Sequence, residues 1–199
     1  MLLTVEITRE NAWALLNEFV KGEPLLRHCI GVEAAMREYA RVWGEDEELW
    51  GFVGLIHDFD YELHPTLDQH PQDGAPILRE RGVPESIIQS VLSHADHLDV
   101  PRETRLELAL AAVDEMIGFV TAVALVRPSK CIDDVTPAAV RKKMKDKAFA
   151  RAVDREALLH TAEALGVPFD EHIQYVIDGL RPVAAQLGLT RTQLQEVEV

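Results

Sequence analysis

The chain has 199 residues and a formal charge of −14 at neutral pH. Such an acidic chain is not expected to bind duplex nucleic acid or an anionic membrane through its general surface, although a bound dication would reverse the field locally and admit a small anion. Its two cysteines, Cys29 and Cys131, form no paired motif, and the first residues lack the charge and apolar pattern of a signal peptide, so we predict a cytoplasmic protein without disulfides.

The hydrophobic pattern is helical almost throughout. In chain order, helices are predicted at about 8–20, 24–43, 46–56, 71–81, 84–97, 102–126, 136–147, 154–165 and 169–187. The segment 59–71 contains prolines and is predicted to be a loop. No low-complexity linker or internal repeat divides the chain, so we predict a single all-α domain over residues 1–199.

The most apolar stretch, residues 108–126, carries Asp114 and Glu115 at its centre. Two central acids would be unusual in a membrane span, so we predict a buried helix and no membrane partner. A bare carboxylate among apolar side chains costs several kcal/mol unless it is paired or coordinated. Asp114 is therefore predicted to bind a metal, or else to meet an arginine or a backbone cap.

A small set of histidines and aspartates has the composition of a metal site. His57 and Asp58 leave the end of one predicted helix together, and His28 lies on the edge of the apolar stripe of the preceding helix. Imidazole and carboxylate ligands suit iron, manganese, cobalt, nickel or zinc. His28, His57, Asp58 and Asp114 are predicted to form a mononuclear site.

Further histidines extend this site. If His70 and His94 face the same centre, Asp58 could bridge to a second metal, giving one or two divalent ions per chain. His97 follows His94 by three residues and is a candidate for substrate binding or proton transfer. His160 and His172 lie on late amphipathic helices and are predicted to be surface or helix-face residues, not metal ligands.

The spaced segments RHCIGVEAAMREYA, WGFVGLIHDFDYE, QHPQDGAPILRERGVPESIIQSVLSHADH and LAAVDEMIGF resemble the HD-domain superfamily of metal-dependent phosphohydrolases. The resemblance covers about residues 20–126, leaves a helical extension at about 127–199, and implies an all-helical HD bundle. It also implies that His28, His57, Asp58 and Asp114 are ligands, and that His70 and His94 match the extra histidines of dinuclear members. Many HD phosphodiesterases carry a lysine or an HDIGK-like run at the pair, whereas this chain reads HDFDYE, with Asp60 and Glu62 in place of any cation, and it lacks a GYP motif. These departures speak against a cyclic-dinucleotide phosphodiesterase.

We therefore expect hydrolysis of a small phosphate ester or nucleotide by a metal-activated water. Asp58 is expected to act in catalysis as well as in ligation. Asp60 and Glu62 either orient the water and protonate the leaving group, or serve as a helix cap or as partners of a ligating histidine. Arg27, Arg127 and Lys130 are candidates to bind the anionic substrate.

Two other functions remain open from the sequence. The same six ligands would serve a dinuclear iron oxygenase, because ligand identity does not fix the redox use of the metal. A non-catalytic module that keeps a structural metal is the third possibility. The tryptophans serve either the core or a dimer face, so a homo-oligomer is also open.

Overall fold

The fold is built from helices. A computed structural model describes residues 4–191, and within that range it contains α-helices and short 3-10 helices but no β-strand. The predicted all-α fold is confirmed. The α-helices are α1 Arg9–Phe19, α2 Glu23–Trp43, α3 Glu47–Ile56, α4 Ala75–Glu80, α5 Glu85–Ser93, α6 Arg105–Leu125, α7 Pro137–Met144, α8 Arg155–Leu165, α9 Phe169–Leu180 and α10 Ala184–Leu187. The 3-10 helices are Asp96–Leu98, Ile132–Asp134 and Arg181–Val183.

Capping residues explain where several helices begin and end. The side chains of Thr8 and Asp46 accept hydrogen bonds from the first turns of α1 and α3, which satisfies backbone donors that have no partner inside the helix. Thr104 and Glu107 form a reciprocal capping box at the start of α6. α2 ends at Gly44, whose φ of 71° lies in the left-handed region that glycine adopts without steric cost.

Several helices are shorter than their hydrophobic pattern predicts, and one is divided. The helix expected at 71–81 begins only after Gly74, and the one expected at 84–97 ends at Ser93. The last predicted helix, 169–187, is divided into α9, a 3-10 turn and α10. Pro182 lies in that turn, and a proline has no N–H with which to continue an α-helix.

The α2 helix organises the core, where it packs mainly against α3, α6 and α9. Apolar residues from most helices join one continuous cluster around it. The approach to α9 is especially close, because a Cβ atom added to Gly179 would lie 2.7 Å from the Cα atom of Ala35. A glycine at this position lets the two helices meet backbone to backbone.

By length and composition, α6 is one helix that could cross a membrane. In the structure, 61% of its most apolar window is buried inside the protein. It packs against α2, α5, α8 and α9 among the described helices. Burial in the core therefore accounts for its apolar composition.

Of the two positions predicted for His172, the surface of the protein is wrong. Its side chain is fully buried on α9, where Nδ1 accepts a hydrogen bond from the Tyr39 hydroxyl at 2.5 Å and Nε2 donates to the Ala112 carbonyl at 3.2 Å. The imidazole thus connects α9 to α2 and α6. Amphipathic periodicity could not reveal this, because the ring satisfies its polarity with partners far away in the sequence.

Burial lowers the pKa of His172 to about 4, whereas an unfolded histidine titrates near 6.5. As the pH falls through this interval, the unfolded chain takes up a proton that the folded chain excludes, so the free energy of unfolding falls by about 3 kcal/mol from this group. We expect His172→Gln to show a shallower loss of stability between pH 6.5 and 4. Urea unfolding of the metal-free wild type and variant, followed by tryptophan fluorescence at several pH values, measures how steeply the free energy of unfolding of each protein falls with pH. Equal slopes would contradict the prediction.

Candidate metal centre

Six ionisable side chains converge at one end of the α2–α3–α6 packing. They come from α2, from the residues just after α3 and α5, from the turns between α3 and α4, and from the middle of α6. They are His28, His57, Asp58, His70, His94 and Asp114. The sequence predicted each of these residues as a metal ligand, and the structure brings all of them together.

Local sequence explains how His57 and Asp58 reach the interior. The residues from Trp50 to Ile56 of α3 are all buried, so the helix runs into the core instead of along the surface. The last helical turn carries His57 and Asp58 with it, and His57 itself is completely buried. A polar pair at the end of a buried apolar helix is positioned to act inside the protein.

One group of ligand atoms surrounds a first position. The Asp114 Oδ1 atom lies 2.9 Å from His28 Nε2 and 3.4 Å from His57 Nε2, and the two imidazole nitrogens are 3.2 Å apart. The Asp58 Oδ2 atom lies 3.7 Å and 3.6 Å from the same two nitrogens. These are the four ligands predicted for the mononuclear site.

A second group surrounds a neighbouring position. The Asp58 Oδ1 atom lies 3.1 Å from His70 Nε2 and 3.4 Å from His94 Nε2, and these two nitrogens are 3.3 Å apart. One carboxylate oxygen of Asp58 therefore faces each group. This is the arrangement of a bridging carboxylate.

The spacing fits a transition metal. Ligands about 2.1 Å from a divalent ion lie about 3.0–3.4 Å from one another in octahedral or tetrahedral geometry, and most of the distances above fall in or near that range. The donor set therefore fits two metal ions.

The other ring nitrogens hold the histidines in the required orientation. The Nδ1 atom of His57 donates to the Gly54 carbonyl at 2.8 Å, and that of His94 donates to the Val91 carbonyl. The Nδ1 atom of His70 instead donates to Asp60 Oδ1 at 2.9 Å. A proton on Nδ1 leaves the Nε2 lone pair free for a metal.

The charges of the site favour a cation. Burial acts to raise the pKa of Asp114, but hydrogen bonds from His28 and His57 outweigh it and hold the pKa well below its usual range. Burial likewise acts to lower the pKa of His70, yet the carboxylates of Asp58 and Asp60 raise it to about 9. The negative potential that stabilises a protonated imidazole also stabilises a metal ion.

The two acids predicted as catalytic residues are placed differently. Asp60 is fully buried and accepts a hydrogen bond from Nδ1 of His70, whereas the Nε2 atom of that ring faces Asp58. Asp60 therefore positions this histidine and does not lie among the candidate ligand atoms. A Cβ atom on Gly74 would lie 2.5 Å from Asp60 Oδ2, so the glycine leaves room for the carboxylate. Glu62 is exposed and accepts the backbone N–H groups of Lys21 and Gly22 just before α2. The helix-cap and histidine-partner roles considered for these acids match these contacts.

The remaining candidates lie at the periphery. His97 is exposed in a 3-10 turn. Arg127 is partly buried and Lys130 is exposed, both beyond the end of α6. Arg27 lies beside His28, where both residues line one cavity. Of these four candidates, Arg27 is the one that lines a described cavity together with a candidate metal ligand, His28.

Comparison with known proteins agrees with this geometry. A family model described as HD domain matches residues 25–117, a range that contains all six converging residues. Ribonuclease Y of Cutibacterium acnes is 24% identical over 109 residues, which are 54% of this chain and 18% of that protein. The chain thus corresponds to less than a fifth of the length of this curated relative. No solved structure matches it.

The resemblance that the spaced motif suggested is therefore confirmed. Residues 25–117 match the HD-domain family, whose members are generally metal-dependent phosphohydrolases.

Proposed function

We propose that the protein is a dinuclear metal-dependent phosphohydrolase that acts on a small phosphate ester. The observation that carries the proposal is the position of Asp58, which directs one carboxylate oxygen to each of two groups of ligands. A single carboxylate shared in this way suits two ions held close together. The relative named ribonuclease Y is a nuclease by its name, and cleavage of a phosphodiester belongs to the same class of chemistry.

His28, His57 and Asp114 would hold one ion, His70 and His94 the other, and Asp58 both. When bound, such ions lower the pKa of a water molecule towards neutrality and polarise a phosphoryl oxygen. The protein contributes fixed ligand orientation, because each of His57, His70 and His94 is held through its Nδ1 atom. Orientation of this kind removes reorganisation from the reaction itself.

The reacting phosphoryl group would approach from the side of His28 and Asp114. Their side chains are 25% and 23% exposed, whereas those of His70 and His94 are 7% and 6% exposed. Arg27 lines the cavity on that side and is paired with Glu23. Its guanidinium would donate to a phosphate oxygen that the ions do not reach.

Metal content tests the dinuclear arrangement. After loading with manganese, cobalt, nickel, zinc or iron, we expect two ions per chain in the wild type and about one in His70→Ala, because that substitution removes a ligand from one group only. Plasma mass spectrometry of desalted protein gives the stoichiometry. His160→Ala, at an exposed position on α8, is the matched control. One ion per chain that is unaffected by His70→Ala would contradict the dinuclear arrangement.

The role of Asp60 can be tested without removing a ligand. Asp60→Asn keeps the shape and an acceptor for His70 Nδ1 but removes the charge, so the second ion should bind about 10–100-fold more weakly while the first is retained. Competition with a chromophoric chelator measures both affinities. Glu62→Gln is the control, since this neighbouring carboxylate only caps α2. Unchanged affinity for both ions in Asp60→Asn would show that its charge does not matter.

Hydrolysis itself is the direct test of function. The loaded wild type should release p-nitrophenol from p-nitrophenyl phosphate, and Asp58→Asn should lower kcat by more than about 100-fold, beyond the loss typical for an outer partner of a ligand. Far-ultraviolet circular dichroism checks that the variant folds. Iron in the purified protein together with oxygen consumption, and no phosphate release, would instead favour the oxygenase alternative.

A further inference from the structure

A cavity of about 340 Å³ lies between the start of α2 and the second half of α6. α10 contributes one wall through Leu187. Arg27, His28 and Gly118 are among the residues that line it. The cavity therefore shares His28 with the candidate metal centre.

Helix periodicity places the wall of the cavity on the face of α6 that carries Asp114. Gly118, Thr121 and Leu125 follow Asp114 at intervals of four, seven and eleven residues, so they share its face of α6. The more exposed ligands, His28 and Asp114, are also the ones on these two helices. A molecule whose reacting group reached the metal centre would therefore extend into this cavity.

The chemistry of the walls is mainly apolar. Pro24, Ile117, Leu125 and Leu187 supply aliphatic surface, and Leu125 is 46% exposed although it ends a core helix. The charged side chains of the wall are Arg27 and Glu23, which form an ion pair with each other. The cavity thus offers a cation close to the metal centre and an apolar surface beyond it.

Gly118 is an unusual residue for this position. Glycine in the middle of a helix is less favourable than alanine, and Gly118 lies near the middle of α6, exposed to the cavity. A Cβ atom built at this residue would meet no other atom within 4 Å. Packing therefore does not require the glycine, whereas a larger side chain here would reduce the space beside the metal centre.

From this arrangement we infer that the substrate is an organophosphate whose non-reacting part is an alkyl or aryl group bound in this cavity. The inference rests on the proposed phosphohydrolase function and specifies its substrate class. A sugar phosphate fits less well, because its hydroxyl groups would lose hydrogen bonds to water against aliphatic walls. In the reaction, the oxygen of water bonds to phosphorus, the ester P–O bond breaks, and the alcohol leaves with one proton of the water.

Chain-length dependence tests this substrate class. Each methylene transferred from water into the cavity should contribute about fourfold to kcat/KM, so hexyl phosphate should exceed methyl phosphate by at least about 100-fold in the metal-loaded wild type. Phosphate release measured with molybdate gives both rates. Equal kcat/KM for the two esters would overturn the inference.

The variant Gly118→Leu tests whether the preference for the longer alkyl chain arises in this cavity. A leucine should fill the space without disturbing the packing, so the preference for hexyl over methyl phosphate should fall at least about tenfold. Metal content and thermal unfolding confirm that the variant is folded and loaded. Ala138→Leu adds the same side chain at an exposed position of α7 and should keep the wild-type preference. An unchanged preference in Gly118→Leu would overturn the inference.

A binding measurement separates this inference from the proposed reaction. Hexylphosphonate and methylphosphonate resist hydrolysis, so calorimetric titration reports the cavity even if no ester is cleaved. Tighter binding of hexylphosphonate by the wild type and not by Gly118→Leu would support the apolar cavity, while absent turnover would reject only the phosphohydrolase. Equal affinity for both phosphonates would reject the cavity assignment.

Discussion

The site depends on the burial of two carboxylates, Asp58 and Asp114, among imidazoles and apolar side chains. Neither charge would be stable there alone, because a desolvated carboxylate costs several kcal/mol. The surrounding histidines compensate the negative charges of the two carboxylates. Three of these histidines are in turn held by backbone carbonyls or by Asp60. The helical bundle can therefore be understood as the framework that brings six candidate ligands together, in two groups that share the carboxylate of Asp58.

Helix ends and helix centres make different contributions to this framework. His57 and His94 lie one residue beyond α3 and α5, where the chain can turn its side chains inward and the last carbonyls are free to accept Nδ1–H. His28 and Asp114 instead lie inside long helices, which fix their positions and continue as the walls of a cavity. The same two helices thus join the reacting centre to the space next to it.

Much of this could be predicted from the sequence, for identifiable reasons. Caps such as Thr8, Gly44 and Asp46 are local signals, so the starts and ends of the first helices were predicted closely. The residues that converge at the candidate metal centre could be singled out because acids and histidines are unusual at the ends and in the middle of apolar helices. The burial of His172 and the cavity at Gly118 could not be predicted, because both arise from contacts between segments that are far apart in the sequence. Asp60 was recognised as a possible partner of a histidine, but only three-dimensional proximity identifies His70 as that partner.

The histidines of the candidate metal centre differ in what holds them. His57 and His94 are oriented by main-chain carbonyls, which every amino acid possesses, so no exchange of a side chain at Gly54 or Val91 would remove those acceptors. His70 is oriented by a side chain, Asp60, which one nucleotide change could replace. In the proposed dinuclear arrangement, the affinity for the ion beside His70 can therefore change in evolution without any change at the position between His28 and His57. A lineage could then pass between binding one ion and binding two while keeping all six candidate ligands.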